Sequence, residues 1–330
     1  MGNNMLAGIN RFKEKFRHLG LYLTGKGEMF RKGSKRKIWI PAICIAAAVL
    51  CGVVSAGNAK ALSTNVIPSG VIANDDAVID AVRTGLREHS AKITVRFRSE
   101  TDVFAKVSEI ADMWMEEAQA ETEDPGEGDY IRYQNGGYYK NVSQSEVDGM
   151  YLYTVEIIPK YYIYLVQEEE ARQKIAEVME SFGFDENTAD YEKIKTVYDY
   201  ICKNVRYDEV HKKNRFYYMR STAYGALVNK TATCQGYCVT LYRLLREAGI
   251  NARIITGESS EEEKGVLHAW NIAELDGMYY NLDATWDAGK EEYEFFLKGS
   301  ASFEGHVPDE KFLSEDFMRE YPVSAEDYNG

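Results

Sequence analysis

The sequence predicts an α+β protein in which a helix packs on an antiparallel sheet, and three features lead to this prediction. After Cys234, apolar residues recur at helical spacing until Gly249, a residue type that commonly follows a helix end. Downstream, Asp276-Gly277 separates two apolar-rich runs, which is a strong signal for a β-hairpin. Residues 61–165 mix helical and strand patterns, which predicts a smaller α+β domain in front of this core.

The first 37 residues are basic and are predicted to form a cytoplasmic tail. They hold ten Lys or Arg residues against Glu14 and Glu28, a net charge of +8. Because the whole chain carries −13, residues 38–330 carry −21, and so acidic a body argues against nucleic acid as a partner. Apolar residues from Phe12 to Leu23 recur at helical spacing. The tail is therefore either an amphipathic helix on an anionic membrane surface or a disordered basic segment.

Residues 38–58 are predicted to be a transmembrane anchor or the apolar region of a signal. Ile38 to Ala56 includes 19 uncharged residues, which reach about 28 Å as a helix, close to the hydrocarbon thickness of a bilayer. Because the Lys/Arg excess precedes this segment, the C-terminal body is expected to be extracytoplasmic. Ala59-Lys60-Ala61 has the form of a signal cleavage site, so secretion is the alternative. The long basic region and apolar run favour a single-pass cell-membrane anchor.

Two domains are predicted after this segment, at residues 61–165 and 166–330. In the first, helical spacing marks residues 75–88 and 103–118, and strand patterns mark residues 92–97, 130–133 and 151–164. In the second, helices are predicted at residues 167–182 and 191–205, before a polar loop at 207–220 and the helix that begins at Cys234. Residues 295–297 are predicted to form a covering helix or strand.

Cys234, His268 and Asp283 are the candidate catalytic residues. A thiol acyl-transfer triad needs a nucleophile, a base and a carboxylate that orients the base, and these three residue types supply them. Cys234 is predicted to lie at a helix N-terminus. There the positive end of the helix dipole favours the thiolate, and unpaired N–H groups can hold an oxyanion.

The predicted hairpin can bring the other two residues together. If Asp276-Gly277 is the loop, His268 faces Thr285 and Trp270 faces Asp283. All four side chains then share one face of the sheet, and His268 and Asp283 are diagonal neighbours. A bulged or three-residue loop would break this register.

Further residues are candidates for supporting the site. Gln235 is expected to support Cys234 rather than take part in chemistry, although an oxyanion contact is the alternative. Trp270 and Trp286 are expected to line the walls of the site. Thr285 lies on the same predicted face of the sheet as His268. His306 is far from the other candidates in sequence and is expected to be structural or solvated.

The cysteines and the absence of cofactor motifs limit the chemistry. Five cysteines are too few for a disulfide scaffold. Cys202 and Cys238 are expected to be buried thiols, with a bridge between them as the alternative. The sequence contains no His-Glu-x-x-His motif, Walker-type loop or dinucleotide glycine fingerprint. We therefore expect neither a metal nor a cofactor.

The motifs around the three candidate residues resemble those of the transglutaminase-like superfamily. They are Cys-Gln-Gly-Tyr at 234–237, His-Ala-Trp-Asn at 268–271 and Asp-Ala-Thr-Trp-Asp at 283–287, and Tyr-Gly-Ala-Leu at 224–227 is similar to bacterial members. The resemblance covers roughly residues 191–287 and implies a papain-like core with the Cys at a helix start and His and Asp on neighbouring strands. It implies that Cys234 is the nucleophile, His268 the base and Asp283 its partner.

The resemblance also implies an enzyme that attacks amide bonds of peptides or proteins through an acyl-thioester. Water as the acceptor gives a peptidase or amidase, and a lysine amine gives a transglutaminase. Hydrolysis is slightly favoured, because excluding water takes a closed tunnel for which the sequence gives no sign. The alternatives are a catalytically silent binding module at the cell surface and a structural membrane-tethered protein. Cell-wall peptide and surface protein are the candidate substrates.

Overall fold

The computed structural model describes residues 21–23, 29–31, 76–260 and 266–329, and it divides the chain into two units, Met1–Lys60 and Ala61–Gly330. In the first unit, strand β1 (Leu21–Leu23) pairs antiparallel with strand β2 (Met29–Arg31). The amphipathic helix that was one alternative for the basic tail therefore does not extend over Leu21–Leu23.

The predicted membrane or signal segment, residues 38–58, lies outside the described residues. Residues 261–265 also lie outside the described residues. Within the part of the chain that is described, no helix combines the length and apolar character needed to cross a bilayer. The division into a tail, a membrane segment and two domains stays a prediction.

The second unit begins with helices packed on a three-stranded antiparallel sheet. Its elements are α1 (Asp76–Arg87), β3 (Ile93–Ser99), α2 (Phe104–Ala118), α3 (Asp129–Tyr133), β4 (Asn135–Val147) and β5 (Met150–Tyr161). The strand order is β3-β5-β4. Alternate residues of β3 and β5, such as Phe97 and Tyr153, are fully buried against Trp114 of α2. This arrangement is the α+β unit expected from the patterns in this region.

The segment predicted as a strand at residues 130–133 is instead the short helix α3, so that prediction was wrong. Tyr130 and Tyr133 stand three residues apart and pack on the same apolar cluster, which is helical rather than strand spacing. Ile131 packs on a different cluster, that of the three-stranded sheet. The sequence also gave no sign of β4, because most of its residues are exposed and polar.

The rest of the unit is built around one buried helix. The elements before it are α4 (Leu165–Phe182), α5 (Asp190–Asn204), β6 (Arg206–Tyr207), a 3₁₀ turn (Tyr218–Ser221), α6 (Ala223–Leu227) and β7 (Thr231–Ala232). The buried helix, α7, spans Cys234–Glu247. As predicted, it begins at Cys234, and Gly249, just beyond its end, has a positive φ of 80°.

Helix α7 packs against a four-stranded antiparallel sheet. Its strands are β8 (Ala252–Ser259), β9 (Val266–Leu275), β10 (Met278–Leu282) and β11 (His306–Pro308), in the order β10-β9-β8-β11. A second 3₁₀ turn (Glu310–Leu313) and helix α8 (Glu315–Glu320) follow. The contacts of α7 with β8 and β9 confirm the predicted mixed architecture of a helix on an antiparallel sheet.

The hairpin between β9 and β10 turns at Asp276-Gly277, as predicted. Both residues have positive φ angles, 53° and 79°, which a two-residue type I′ turn requires. The register pairs Met278 with Leu275, but the ladder ends at Leu282 and Asn271. The predicted pairs of His268 with Thr285 and of Trp270 with Asp283 are therefore not part of it.

Beyond the ladder, the chain turns away instead of continuing as a strand. The N–H of Asp283 donates to the carbonyl of Phe295 at 3.0 Å. Residues 293–297 form neither a helix nor a strand, contrary to the expectation for residues 295–297. Their course depends on Asp287, whose carboxylate accepts the N–H groups of Glu294 and Phe295 at 2.9 Å each.

Candidate active site

Cys234 lies at the first residue of α7, with its side chain half-buried. Thr233, the residue before it, makes no side-chain capping hydrogen bond to the helix. The N–H groups of the first turn are therefore not occupied by that side chain. Gly236 allows the preceding chain to approach the helix, because a Cβ there would lie 2.5 Å from the carbonyl oxygen of Arg220.

His268, on β9, contacts both other members of the candidate triad. Its Nε2 lies 2.7 Å from Oδ2 of Asp283, and the thiol of Cys234 is near enough to help raise the pKa of the imidazole. If Nε2 carries the proton that it donates to the carboxylate, Nδ1 is left to accept the thiol proton. The three residues that the sequence singled out thus lie together in the order nucleophile, base and carboxylate.

Asp283 is buried and its carboxylate is held at both oxygens. Oδ1 accepts the N–H groups of Thr285 at 2.8 Å and Trp286 at 3.2 Å. Oδ2 accepts from His268 and from Nε2 of His306, the latter at 3.0 Å. Burial alone raises the pKa of Asp283, but the hydrogen bonds and charges of the two histidines outweigh it and lower the pKa to about 2.

The electrostatics of His268 favour its charged form. Burial lowers the pKa of its imidazole, but the hydrogen bonds to Asp283 and Cys234 outweigh burial and raise the pKa to about 10. An imidazolium held beside a thiol is the partner that stabilises a thiolate. The arrangement can therefore supply an ion pair of the kind used in nucleophilic acyl transfer.

The structure places the supporting candidates by contacts that the sequence did not specify. The side-chain amide of Gln235 donates a hydrogen bond to the carbonyl of Tyr133, so it is engaged away from an oxyanion. Trp286 stacks on His268, with ring centroids 5.0 Å apart and planes 18° apart. Trp270 lies behind the same imidazole at 6.1 Å.

Thr285 contributes its backbone rather than its side chain. Its N–H donates to Asp283, whereas its buried hydroxyl oxygen has no hydrogen-bond partner among the described residues. Cys202 and Cys238 are buried free thiols, so the alternative of a disulfide between them is not realised. Burial raises the pKa of both, to well above the usual thiol range for Cys238, which keeps them inert as nucleophiles.

His306 is the residue of this site that the sequence analysis missed. It was expected to be structural or solvated, but its side chain is fully buried and contacts Asp283. The contact depends on β11, a three-residue strand that pairs with β8 and has no clear pattern of its own. The aromatic residues that precede His306, Phe295 and Phe303, were the one local sign of a buried environment.

His268, Asp283 and His306 also present nitrogen and oxygen atoms that all lie within 4.8 Å of one another. Ligand atoms around a tetrahedral zinc ion are about 3.3 Å apart, given bonds of about 2.0 Å. The two contacts to Asp283 Oδ2, at 2.7 and 3.0 Å, are shorter than that and have hydrogen-bond lengths. The cluster is thus arranged for hydrogen bonding rather than for metal coordination.

Comparisons with known proteins agree with the motifs. Residues 181–284 match the family model described as the transglutaminase-like superfamily. The kyphoscoliosis peptidases of Mus musculus and Homo sapiens are 24% identical to the chain over 145 and 144 residues, each covering 37% of it. The matches cover 22% and 21% of those proteins, so the chain spans about a fifth of the length of these relatives.

Two solved structures are similar to parts of the chain. One, described as a TGase, is 17% identical with a TM-score of 0.34, over 67% of this chain and 56% of its own. The other is a Cytophaga hutchinsonii protein whose assignment as a cysteine protease is provisional. It is 14% identical with a TM-score of 0.29, over 46% of this chain and 65% of its own. The matched family segment contains all three candidate residues, and residues 181–284 are a transglutaminase-like domain.

Proposed function

We propose that this protein is a cysteine-dependent hydrolase that acts on amide bonds of peptides or proteins. The observation that carries the proposal is the position of His268, between the thiol of Cys234 and the carboxylate of Asp283. An acyl-transfer site needs this order, because the base must face the nucleophile on one side and its orienting partner on the other.

The proposed reaction has two steps. The Cys234 thiolate attacks the carbonyl carbon, and the oxyanion is held by N–H groups at the start of α7. His268, protonated, transfers its proton to the amine as the carbon–nitrogen bond breaks, which leaves an acyl-thioester on Cys234. His268 then accepts a proton from water as the water oxygen attacks the thioester. The carbon–sulfur bond breaks, which releases the acid and regenerates the Cys234 thiolate beside protonated His268.

Water is favoured over a lysine amine as the acceptor because Cys234 is half-buried rather than enclosed. A transamidating enzyme must keep water from the thioester. A catalytically silent surface-binding module is the second candidate. The complete Cys-His-Asp arrangement argues against it, since a binding role does not need the three side chains in contact.

Casein labelled with a fluorophore provides a test of both the activity and the acceptor. Incubated with the full chain in mild detergent and with dansylcadaverine, it should yield cleaved peptides, or glutamate residues in place of glutamine with release of ammonia, faster than it incorporates the amine. The physical reason is that water reaches the thioester at a far higher concentration than the amine. Mass spectrometry of the casein products separates hydrolysis from amine incorporation.

Variants at the site and away from it complete this test. Cys234→Ala and His268→Ala should abolish the reaction, whereas Cys202→Ala removes a buried thiol outside the triad and should keep it. Amine incorporation as the main product would make the protein a transamidase instead. No turnover by the wild type on casein or a peptide library would favour the binding module.

We further propose that residues 38–58 anchor the chain in the cell membrane with the acidic body outside the cytoplasm, secretion being the alternative. The uncharged run of 19 residues and the net charge of +8 before it support this topology. Alkaline phosphatase fused after Gly330 and expressed in a bacterium should be active, because it needs disulfides that form outside the cytoplasm. A green fluorescent protein fusion that fluoresces instead, with an inactive phosphatase, would reverse the topology.

A further inference from the structure

His306 is placed beside the catalytic residues by the register of the sheet. Ser259 pairs with His306 across β8 and β11, and Gly257 pairs with His268 across β8 and β9. Paired residues share a face and side chains alternate along a strand, so these four positions lie on the same face. Because Gly257 carries no side chain, nothing from β8 stands between the two imidazoles at that position.

The ring of His306 is enclosed by aromatic side chains. Its imidazole has aromatic neighbours on several sides: Phe303 at 3.8 Å, Trp286 at 4.2 Å, Trp270 at 4.9 Å and Phe295 at 5.5 Å between ring centroids. Aromatic faces attract cations, most strongly where water is excluded. The titratable groups in contact with it are Asp283, at 3.0 Å, and His268, with ring centroids 5.3 Å apart.

Both ring nitrogens of His306 face hydrogen-bond acceptors. Nε2 lies 3.0 Å from Oδ2 of Asp283, and Nδ1 lies 2.9 Å from the carbonyl oxygen of Glu304. A carbonyl oxygen and an ionised carboxylate only accept, so both contacts are satisfied when both nitrogens carry protons. The Glu304 carbonyl fixes the rotation of the ring and so aims Nε2 at the carboxylate.

We propose that His306 is a positioning residue for the thiol chemistry of this site. By donating Nε2–H to Oδ2 of Asp283, it fixes the oxygen that also accepts from His268, and through it the ring orientation that presents Nδ1 to Cys234. Among the described residues its ring nitrogens bond to Asp283 and Glu304 and not to the thiol, so it acts through Asp283. This inference rests on the proposed function, since it concerns the geometry of the same three residues.

Two effects of removing His306 oppose each other. Losing its hydrogen bond leaves Oδ2 with His268 as its one described partner, in a buried setting where an unmet acceptor is costly. Losing the hydrogen bond and charge by which His306 lowers the pKa of Asp283 would strengthen the pull of Asp283 on the His268 proton. The first effect dominates in our proposal, because His268 must be held within a fraction of an ångström to serve the thiol.

The test compares two substitutions that separate packing from hydrogen bonding. His306→Phe keeps an aromatic ring among the aromatic neighbours of His306 but removes the N–H that donates to Asp283. His306→Gln instead keeps an N–H donor near the position of Nε2. We expect the rate constant for alkylation of Cys234 by iodoacetamide at pH 6 to fall about tenfold in the first variant. In the second it should stay within about threefold of the wild type. His211→Phe is the matched control, since His211 also pairs with a carboxylate, that of Asp208.

A spectroscopic measurement on the full chain distinguishes positioning from a structural role. With ¹⁵N-labelled histidine, the Nε2–H of His268 should give a low-field proton resonance in the wild type, because it bonds to a buried carboxylate. That resonance should shift or broaden in His306→Phe and be retained in His306→Gln. Intact-protein thermal unfolding shows whether either variant has merely lost its fold.

The outcomes separate this proposal from the proposed function. If His268→Ala alkylates as fast as the wild type, the thiol–imidazole pair fails, and the His268 resonance still reports on His306. If His268→Ala is slow but His306→Phe alkylates as fast as or faster than the wild type, with an unchanged resonance, the positioning role of His306 is overturned. Equal losses in the Phe and Gln variants would overturn it as well.

Discussion

Asp283→Asn should lower the rate of casein hydrolysis by a factor on the order of 10³ to 10⁴ while the protein stays folded. The reason lies in the separate partners of the two carboxylate oxygens. Oδ1 accepts two backbone N–H groups, those of Thr285 and Trp286, so the amide oxygen of asparagine will take that place. The amide NH₂ then points at Nε2 of His268.

A donor at that position reverses the tautomer of the imidazole. Nε2 of His268 must accept from the amide, which leaves the proton on Nδ1, the nitrogen that Asp283 does not engage and that is left for the thiol. The ring can then no longer take the proton of the thiol. The substitution therefore removes the base without removing any side-chain volume.

Steady-state kinetics with labelled casein measures this effect, and the expected loss is in kcat rather than in KM. Asp102→Asn is the matched control, because Asp102 likewise accepts a backbone N–H and a side-chain donor, from Phe104 and Tyr153, outside the site. It should stay within about twofold of the wild type. An Asp283→Asn enzyme that kept a tenth of the wild-type rate would show that the carboxylate does not set the tautomer.

Acid stability gives a second readout of the same residue. The folded pKa of Asp283 is lowered to about 2, below the value of about 3.9 for an unfolded aspartate. A depressed pKa means that the ionised group stabilises the fold above pH 4 and that this contribution is lost as the pH falls towards 2. The free energy of unfolding of Asp283→Asn should therefore depend less steeply on pH between 4 and 2.

The three candidate residues could be predicted from the sequence because the elements that carry Cys234 and His268 are specified by local sequence patterns. The start of α7 is set by the helical spacing after Cys234, and the hairpin register is set by Asp276-Gly277. These two features place a thiol at a helix N-terminus and an imidazole on the neighbouring sheet. The predicted pairing of His268 with Thr285 was wrong, since the ladder stops at Leu282 and Asp283 reaches His268 from the turn that follows.

His306 and the course of residues 293–297 could not be predicted, because long-range pairing fixes them. Strand β11 exists through its pairing with β8, some fifty residues earlier, and nothing in three residues specifies that partner. The turn after Asp283 is likewise fixed by Asp287. The carboxylate oxygens of Asp287 accept hydrogen bonds from backbone N–H groups further along the chain. A sequence pattern shows that such a residue is polar, but not that it is buried.

Asp287→Ala should destabilise the fold by about 3–5 kcal/mol, the loss expected when a fully buried carboxylate that serves several donors is removed. Asp287 accepts the N–H groups of Glu294 and Phe295 at 2.9 Å and the hydroxyl of Tyr198 at 2.8 Å. The substitution leaves the two N–H groups without their acceptor, and each costs about 1–3 kcal/mol if nothing replaces it. The Tyr198 hydroxyl keeps its longer contact, 3.3 Å, to the carbonyl of Phe295. Urea unfolding followed by tryptophan fluorescence measures the difference.

The comparison with Tyr198→Phe separates the carboxylate from its packing. That variant removes one of the three hydrogen bonds and leaves the carboxylate in place, so it should cost about 1 kcal/mol. Because the carbonyl of Phe295 accepts the N–H of Asp283, Asp287→Ala should also slow alkylation of Cys234 under conditions where the protein is still folded. A loss below about 1 kcal/mol would mean that water enters the space left by the carboxylate and takes over its bonds. The course of residues 293–297 would then be set by the packing of Phe295 and Phe296.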